Sequence, residues 1–298
     1  MVDAGGKSGD QRLERLSQHL WRLELEVHTL PPYDHTNAYL IAHAGVGLLV
    51  DPGAADAAAL EVVGRALRAA DVTLLKGVVL THTHPDHTDG VEGVRAWSAA
   101  RGGDEPALYV HALEASRVPS EWRPVVLQGE RTLMVGDVAV RCLLTPGHSP
   151  GHLTLVLETA GEARPEAAIV GDLAAASGSV WVGHPEGDVA EYLRSLQRIA
   201  QLKPRVLAPG HGAAIVAVQK RLNELAEHRK AREEQVLAAL EGGQASAAEL
   251  TARIYDGHPQ EVIELAQQSV LAHLLKLMNE MRVVHLGDDE QGPYALRR

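Results

Sequence analysis

The sequence predicts an α/β domain over residues 13–215 followed by a smaller helical unit over residues 216–298. Three observations support this. From Leu16 to about Gly212, short β-rich runs alternate with Ala-rich helical patterns, the layout of strands interleaved with helices. Beyond His211 those runs give way to long mixed-charge segments with helical spacing. Four apolar runs of the first part each lead into a histidine or an aspartate.

Taken in order, residues 1–12, MVDAGGKSGDQR, are polar and Gly-rich, lack the apolar stretch of a secretory signal and are expected to form a flexible N-terminus. Strands are expected in LWRLELEVHTL, AYLIAHAGVGLLVDPG, LLKGVVLTH, ALYVHA, VAVRCLLTPGH, LTLVLETA, AAIVGD and PRVLAPGH. Between them, AADAAALEVVGRALRAADV and DGVEGVRAWSAARGG have the apolar spacing of amphipathic helices. In the tail, VAVQKRLNELAEHRKAREEQVLAALEGG reads as a long helix ended by a Gly pair. A second helix starts at a capping box of Ser246 and Glu249, and EVIELAQQSVLAHLLKLMNEM forms a third. RVVHLGDDEQGPYALRR then reads as a hairpin, and helices followed by a hairpin suggest a winged-helix-like unit.

Composition bounds the partners. The net charge is −11, and residues 213–298 carry 10 Lys and Arg against 13 Asp and Glu, so neither whole nor tail has the basic excess of a typical phosphate-backbone binder. The single cysteine, Cys142, excludes an internal disulfide, reads as a buried small hydrophobe in VAVRCLL, and fits a reducing, cytoplasmic setting. No apolar run approaches the roughly 18 residues of a membrane span, so no membrane partner is expected. Phe is absent, leaving Leu, Val, Ile and Ala to build the core.

The chemistry lies in the four strand ends. GVVL leads into His82, His84, Asp86 and His87; RCLLTPG into His148; AAIVG into Asp172; RVLAPG into His211. Strands lying side by side would gather these seven N and O ligands where the chain turns into loops. Imidazole and carboxylate without thiolate suit a catalytic rather than a structural site, for zinc, manganese or iron. Seven ligands exceed what one catalytic zinc takes, which argues for two ions.

These residues resemble the metallo-β-lactamase superfamily, through NAYLI, LLVDPG, THTHPDHTDG, LLTPGHSPGH, IVGD and PGHG. The resemblance implies a four-layer αββα sandwich with the metals at one edge between its sheets. It implies that His82, His84 and His148 hold a first ion, that Asp86, His87 and His211 hold a second, and that Asp172 bridges both. Asp51 resembles the aspartate that supports such a site from outside, and reads equally as a turn residue before Pro-Gly. His152 is either a similar support or an ordinary turn residue. Trp181 and His184 would line one lip of the pocket, Tyr33 and His35 the other, with a plain loop reading open for each.

Departures narrow the group. Asp172 stands where common dinuclear β-lactamases carry Cys, so β-lactam hydrolysis is not expected. The ligands match the hydroxyacylglutathione hydrolase side, but the segment after His211 lacks the tyrosine-bearing, basic stretch expected for glutathione. The tail resembles the β-lactamase-like protein 2 group, in which a winged-helix domain follows the catalytic one. The function implied is a dinuclear, zinc-dependent hydrolase whose metal-bridging hydroxide attacks a small ester or thioester, with Asp172 and Asp86 in the catalytic set. Alternatives are an endoribonuclease on single-stranded RNA, a mono-iron sulfur dioxygenase and a winged-helix regulator. Mn2+ or Fe2+ could replace zinc, and a homodimer is plausible.

Overall fold

The computed structural model describes residues 12–102 and 104–297; the flexible N-terminus expected over residues 1–12 lies, up to residue 11, outside the described residues. Two compact units emerge. One comprises the chain through Leu144, Gly151–Gly178 and Leu202–Val218; the other comprises Thr145–Pro150, Ser179–Gln201 and the chain from Gln219 onward.

The first unit contains two sheets. The larger has seven strands in sequential order: β1 (Leu13–Arg15), β2 (Leu20–Glu26), β3 (His35–His43), β4 (Val46–Val50), β5 (Leu74–Val79), β6 (Ala107–His111) and β7 (Val125–Leu127). β1 to β4 form an antiparallel meander, whereas β4 to β7 run parallel. The switch follows from the connections, since parallel neighbours need crossovers. These carry α1 (Ala57–Ala69), then α2 (Pro85–Thr88) and α3 (Val91–Ala99). Asp56 starts α1 by accepting a hydrogen bond from the Ala59 amide at 2.8 Å. The second sheet has the order β12 (Leu207–Pro209), β11 (Ala167–Gly171), β10 (Leu153–Glu158), β9 (Val138–Leu144), β8 (Arg131–Val135). Only its β11–β12 pair is parallel.

Alternation along the strands sorts side chains into two cores. Tyr39, Ile41, Val50 and Val79 of the large sheet pack with Val140, Cys142, Leu155 and Ile169 of the small one. Their neighbours Ala38, Leu40, Leu49 and Val78 face the other way, onto Val62, Val63 and Ala66 of α1 and Val91 and Val94 of α3. Cys142 is fully buried and its thiol is pushed up to about 12 by burial, so it behaves as the hydrophobe expected.

Some elements differ from expectation. AYLIAHAGVGLLVDPG is a hairpin, turning at Ala44 and Gly45 with φ of 49° and 78°. The edge strands β1, β7 and β8 escape the sequence pattern because edges need not alternate: Val125, Val126 and Met134 are exposed.

The second unit holds nearly all of α4 (Val189–Leu202) and of α5 (Val218–Leu240), α6 (Ala247–Ile254), α7 (Gln260–Asn279) and a hairpin of β13 (Val283–His285) with β14 (Tyr294–Leu296). The expected capping box is present: Ser246 Oγ accepts from the Glu249 amide, and the Glu249 carboxylate from the Ser246 amide. Val236, Leu240, Leu250, Val270, Leu274, Val283 and Tyr294 form its core. Soon after Trp181 and His184, expected to line a pocket lip, the chain enters α4, started by Asp188, whose Oδ1 accepts from the Glu191 amide at 2.9 Å. No helix among the described residues is long and apolar enough to cross a membrane.

Candidate metal centre

The ligand-bearing strands do not lie side by side in one sheet. β5 of the large sheet leads into His82 and His84, with Asp86 and His87 on the single turn of α2. In the small sheet, the parallel neighbours β11 and β12 end at Asp172 and His211, and the β9–β10 connection carries His148. The centre thus draws on strand ends from both sheets.

Within the first unit these side chains converge. His82, His87 and Asp172, and again Asp86, His87 and His211, each offer one ligand atom, and within each group those atoms lie within 4.8 Å of one another. His211 Nε2 stands 3.5 Å from both Asp86 Oδ2 and Asp172 Oδ1, and His87 Nε2 stands 3.6 Å from Asp172 Oδ1. These separations are long for hydrogen bonds. They approach the spacing of about 3.3 Å between two ligands on one tetrahedral ion with bonds of about 2.0–2.1 Å. His87 Nε2 is buried and has no hydrogen-bond partner, which in a core rich in alternatives marks an atom reserved for something else. The donor set fits a cation.

Electrostatics agree. Burial raises the Asp172 pKa, but the His211 and His87 imidazoles outweigh it and hold the carboxyl well below the usual range. Burial disfavours charge on His87, yet the Asp51 and Asp172 carboxylates raise it well above an ordinary histidine. His211 is likewise raised, by Asp172 against burial. Positive charge is favoured at the centre.

The histidines are held in tautomers that leave a lone pair inward. Thr81 Oγ1 donates to Asp51 Oδ2 at 2.6 Å and therefore accepts from His82 Nδ1 at 3.1 Å. His87 Nδ1 donates to Asp51 Oδ2 at 3.0 Å, His211 Nδ1 to the His35 carbonyl at 2.9 Å, and His148 Nδ1 to the Trp181 carbonyl at 2.7 Å. In all four, Nε2 remains the electron-pair donor. His84 differs, presenting Nδ1 at 3.1 Å from His82 Nε2.

Asp51 is 1 % exposed and also accepts from the Thr81 amide at 2.7 Å, so it braces the β5 end and His87 together. His152 Nε2 accepts from the Asp172 amide at 3.2 Å. The Tyr33 ring stacks on His211, centroids 5.5 Å apart. His35 reaches the centre through its carbonyl; its ring Nδ1 is 2.9 Å from Asp34 Oδ1. Trp181 and His184 belong to the second unit, where His184 Nε2 lies 3.0 Å from Glu290 Oε2. Close approach replaces side chains at two glycines. A Cβ at Gly53 would lie 1.9 Å from the Asp86 carbonyl oxygen, and one at Gly210 2.4 Å from Asp172 Oδ1.

Four further residues support the centre. Thr29 donates its hydroxyl to Asp86 Oδ2. Buried Glu114 accepts from Thr83 Oγ1 at 2.6 Å and from the Gly151 amide at 2.9 Å, steadying the loop between His82 and His84. Asn37 Nδ2 donates to the carbonyls of Pro209 and Gly212, and Tyr39 Oη to Pro209, pinning the turn that carries His211. NAY was visible as part of a motif; Thr29 and Glu114 were not.

A profile of the metallo-β-lactamase superfamily matches residues 31–211, and one of the β-lactamase-associated winged helix domain matches residues 246–292. An atrochrysone carboxyl ACP thioesterase of Aspergillus fumigatus is 31% identical over 242 residues, 77% of this chain and 71% of that protein. A lactamase-like protein of Aspergillus niger is 28% identical over 270 residues, 86% of this chain and 79% of that one. The crystal structure of a metallo-β-lactamase family protein from Thermus thermophilus matches with a TM-score of 0.73 and 28% identity, covering 95% of this chain and 100% of that one. A β-lactamase domain protein from Burkholderia ambifaria shares the fold, with a TM-score of 0.78 at 24% identity over 98% of this chain and 96% of that one. The sandwich and the helical tail are therefore those of a hydrolase that belongs to the metallo-β-lactamase superfamily and carries a β-lactamase-associated winged-helix domain.

Proposed function

We propose that this chain is a two-metal, zinc-dependent thioester hydrolase. One observation carries the reading: the Asp172 carboxylate lies in one group with His82 and His87 and also faces His211, so it can serve two ions at once. His82, His84 and His148 would hold the first ion, Asp86, His87 and His211 the second, with Asp172 between them. When bound, such ions supply Lewis acidity and bring the pKa of a water toward about 7.

The chain's own groups do the rest. Asp172, kept ionised by its surroundings, accepts a hydrogen bond from the attacking water and so orients it. Asp51 keeps the proton of His87 on Nδ1, and the His35 carbonyl does the same for His211. The Tyr33 ring, stacked on His211, shields one side of the centre from water. The thioester class is supported by the thioesterase of Aspergillus fumigatus among the relatives and by the tail's lack of basic excess.

The test combines metal analysis with a substrate panel of acyl thioesters, simple esters and single-stranded RNA. About two transition-metal ions per chain are expected, with thioester turnover that chelation abolishes and zinc or manganese restores. Turnover by a metal-free preparation refutes the metal reading, and cleavage of RNA with thioesters left intact refutes the substrate class.

A further inference from the structure

The turn bearing His148 is held by residues 181–195. The Trp181 carbonyl accepts from His148 Nδ1 at 2.7 Å, the Asp188 amide donates to the Gly147 carbonyl at 2.9 Å, and Ser195 Oγ donates to the Pro146 carbonyl at 2.7 Å. Gly147 has φ +137°, and a Cβ there would lie 2.3 Å from the Cα of Tyr192, so the backbone of the turn rests directly on α4. What fixes residues 180–195 therefore bears on the imidazole of His148.

That stretch is secured by the helices and hairpin of the tail. Trp181 Nε1 donates to the Leu265 carbonyl at 3.3 Å, and the His184 amide to the Gln268 carbonyl at 3.0 Å, both on α7. His184 Nε2 meets Glu290 before β14. Arg229 of α5 joins two parts of the stretch at once: its Nη2 donates to the Val180 carbonyl, and its guanidinium stands 5.3 Å from the centroid of the Tyr192 ring. The residue is 4 % exposed, and burial, with the like-charged Arg232 beside it, lowers the pKa of its guanidinium. Burying a guanidinium in such company is costly, and a planar donor that also stacks on an aromatic face is what the place demands.

We propose that Arg229 is a positioning residue for His148: from the winged-helix side of the chain it locks the Val180–Trp181 backbone and the Tyr192 ring, and through them the tautomer and aim of the imidazole. This rests on the reading of His148 as a metal ligand. The tail then has a task within the hydrolase itself, that of setting one ligand of one ion. Trp181 acts in the same chain of contacts, through its backbone carbonyl toward His148 and its indole N–H toward α7.

The experiment measures metal affinity on the full chain, by competition with a chromophoric chelator, together with the absorption spectrum of the Co2+-substituted protein. Parent, Arg229→Met and Trp181→Phe are compared, with circular dichroism as the check of folding. In Arg229→Met one ion should bind about 10–100-fold more weakly while the other keeps the parent affinity, and only one set of Co2+ bands should change. Trp181→Phe, which keeps the carbonyl and loses the indole donor, should weaken the same site to a lesser degree. Should Arg229→Met fail to fold, Trp181→Phe decides: weakening confined to one site supports the proposal, and parent affinity at both sites overturns it. A folded Arg229→Met with parent affinity and parent spectrum at both sites overturns it too. A parent protein that binds no transition-metal ion overturns the proposed function itself, whereas a parent with two ions and silent variants overturns only the role of Arg229.

Discussion

His273 on α7 supplies a stability prediction with a definite sign. The residue is fully buried, and neither ring nitrogen has a hydrogen-bond partner. Burial, together with the positive groups Arg229, Arg232 and His228 of α5 and Lys276 of α7, pushes its pKa down from 6.5 to about 3. In the unfolded chain the imidazole takes a proton below about pH 6.5, while in the folded chain it stays neutral until about pH 3. The unfolded state therefore binds more protons across that window, and stability falls as the pH falls through it. At pH 5 the unfolded state gains about 2 kcal/mol from this one group, against less than about 0.1 kcal/mol at pH 7.5. His273→Leu keeps roughly the volume, removes two unsatisfied buried polar atoms and abolishes the linkage. Urea unfolding of parent and variant at pH 7.5 and pH 5.0, with EDTA throughout to keep metal release from contributing, reads the effect. The stability difference in favour of the variant should widen by about 2 kcal/mol at the lower pH. A difference that is the same at both pH values refutes the reasoning.

Three further outcomes follow from the centre and the tail. Asp51→Asn keeps the shape but loses the carboxylate that His87 Nδ1 and Thr81 share, and should weaken metal binding about 10–100-fold in a chelator competition with little change in fold. Gly210→Ala places a methyl 2.4 Å from Asp172 Oδ1 and 2.8 Å from His87 Cε1; metal content should fall well below that of the parent after identical dialysis, and full occupancy would refute the packing. Ser246→Ala removes the hydroxyl that starts α6 and should cost about 1 kcal/mol in unfolding free energy without changing metal content.

The candidate ligands stood out because each group of them follows an apolar run, and the large α/β part and the helical tail were legible from periodicity. The supports were less so, for physical reasons. Asp51 could be read two ways because an Asp before Pro-Gly serves a turn equally well; only its three hydrogen bonds, to Thr81 and His87, show what it braces. Thr29 lies 57 residues from its partner Asp86, and Glu114 lies 31 from Thr83, separations over which sequence carries no pattern. α4 was hidden by Gly183, Pro185 and Gly187 before it, although Asp188 and Glu191 stand at capping distance. The side-by-side arrangement of the four strands failed because strand order is set by pairing across the chain: β5 lies among parallel neighbours of one sheet, β11 and β12 in the other.

On the proposed metal reading, the division of candidate ligands between the sheets would make the inter-sheet core a gauge of ionic size. Val79, Ile169 and Ala208 each stand three residues before a ligand, respectively His82, Asp172 and His211, and all three belong to the core between the sheets. On that reading they would act as spacers whose thickness sets how far apart the jaws of the chelate stand. Trimming a methylene at Ile169 or adding one at Ala208 should then alter which divalent ion is preferred, zinc or the larger manganese, through residues that touch neither metal nor substrate.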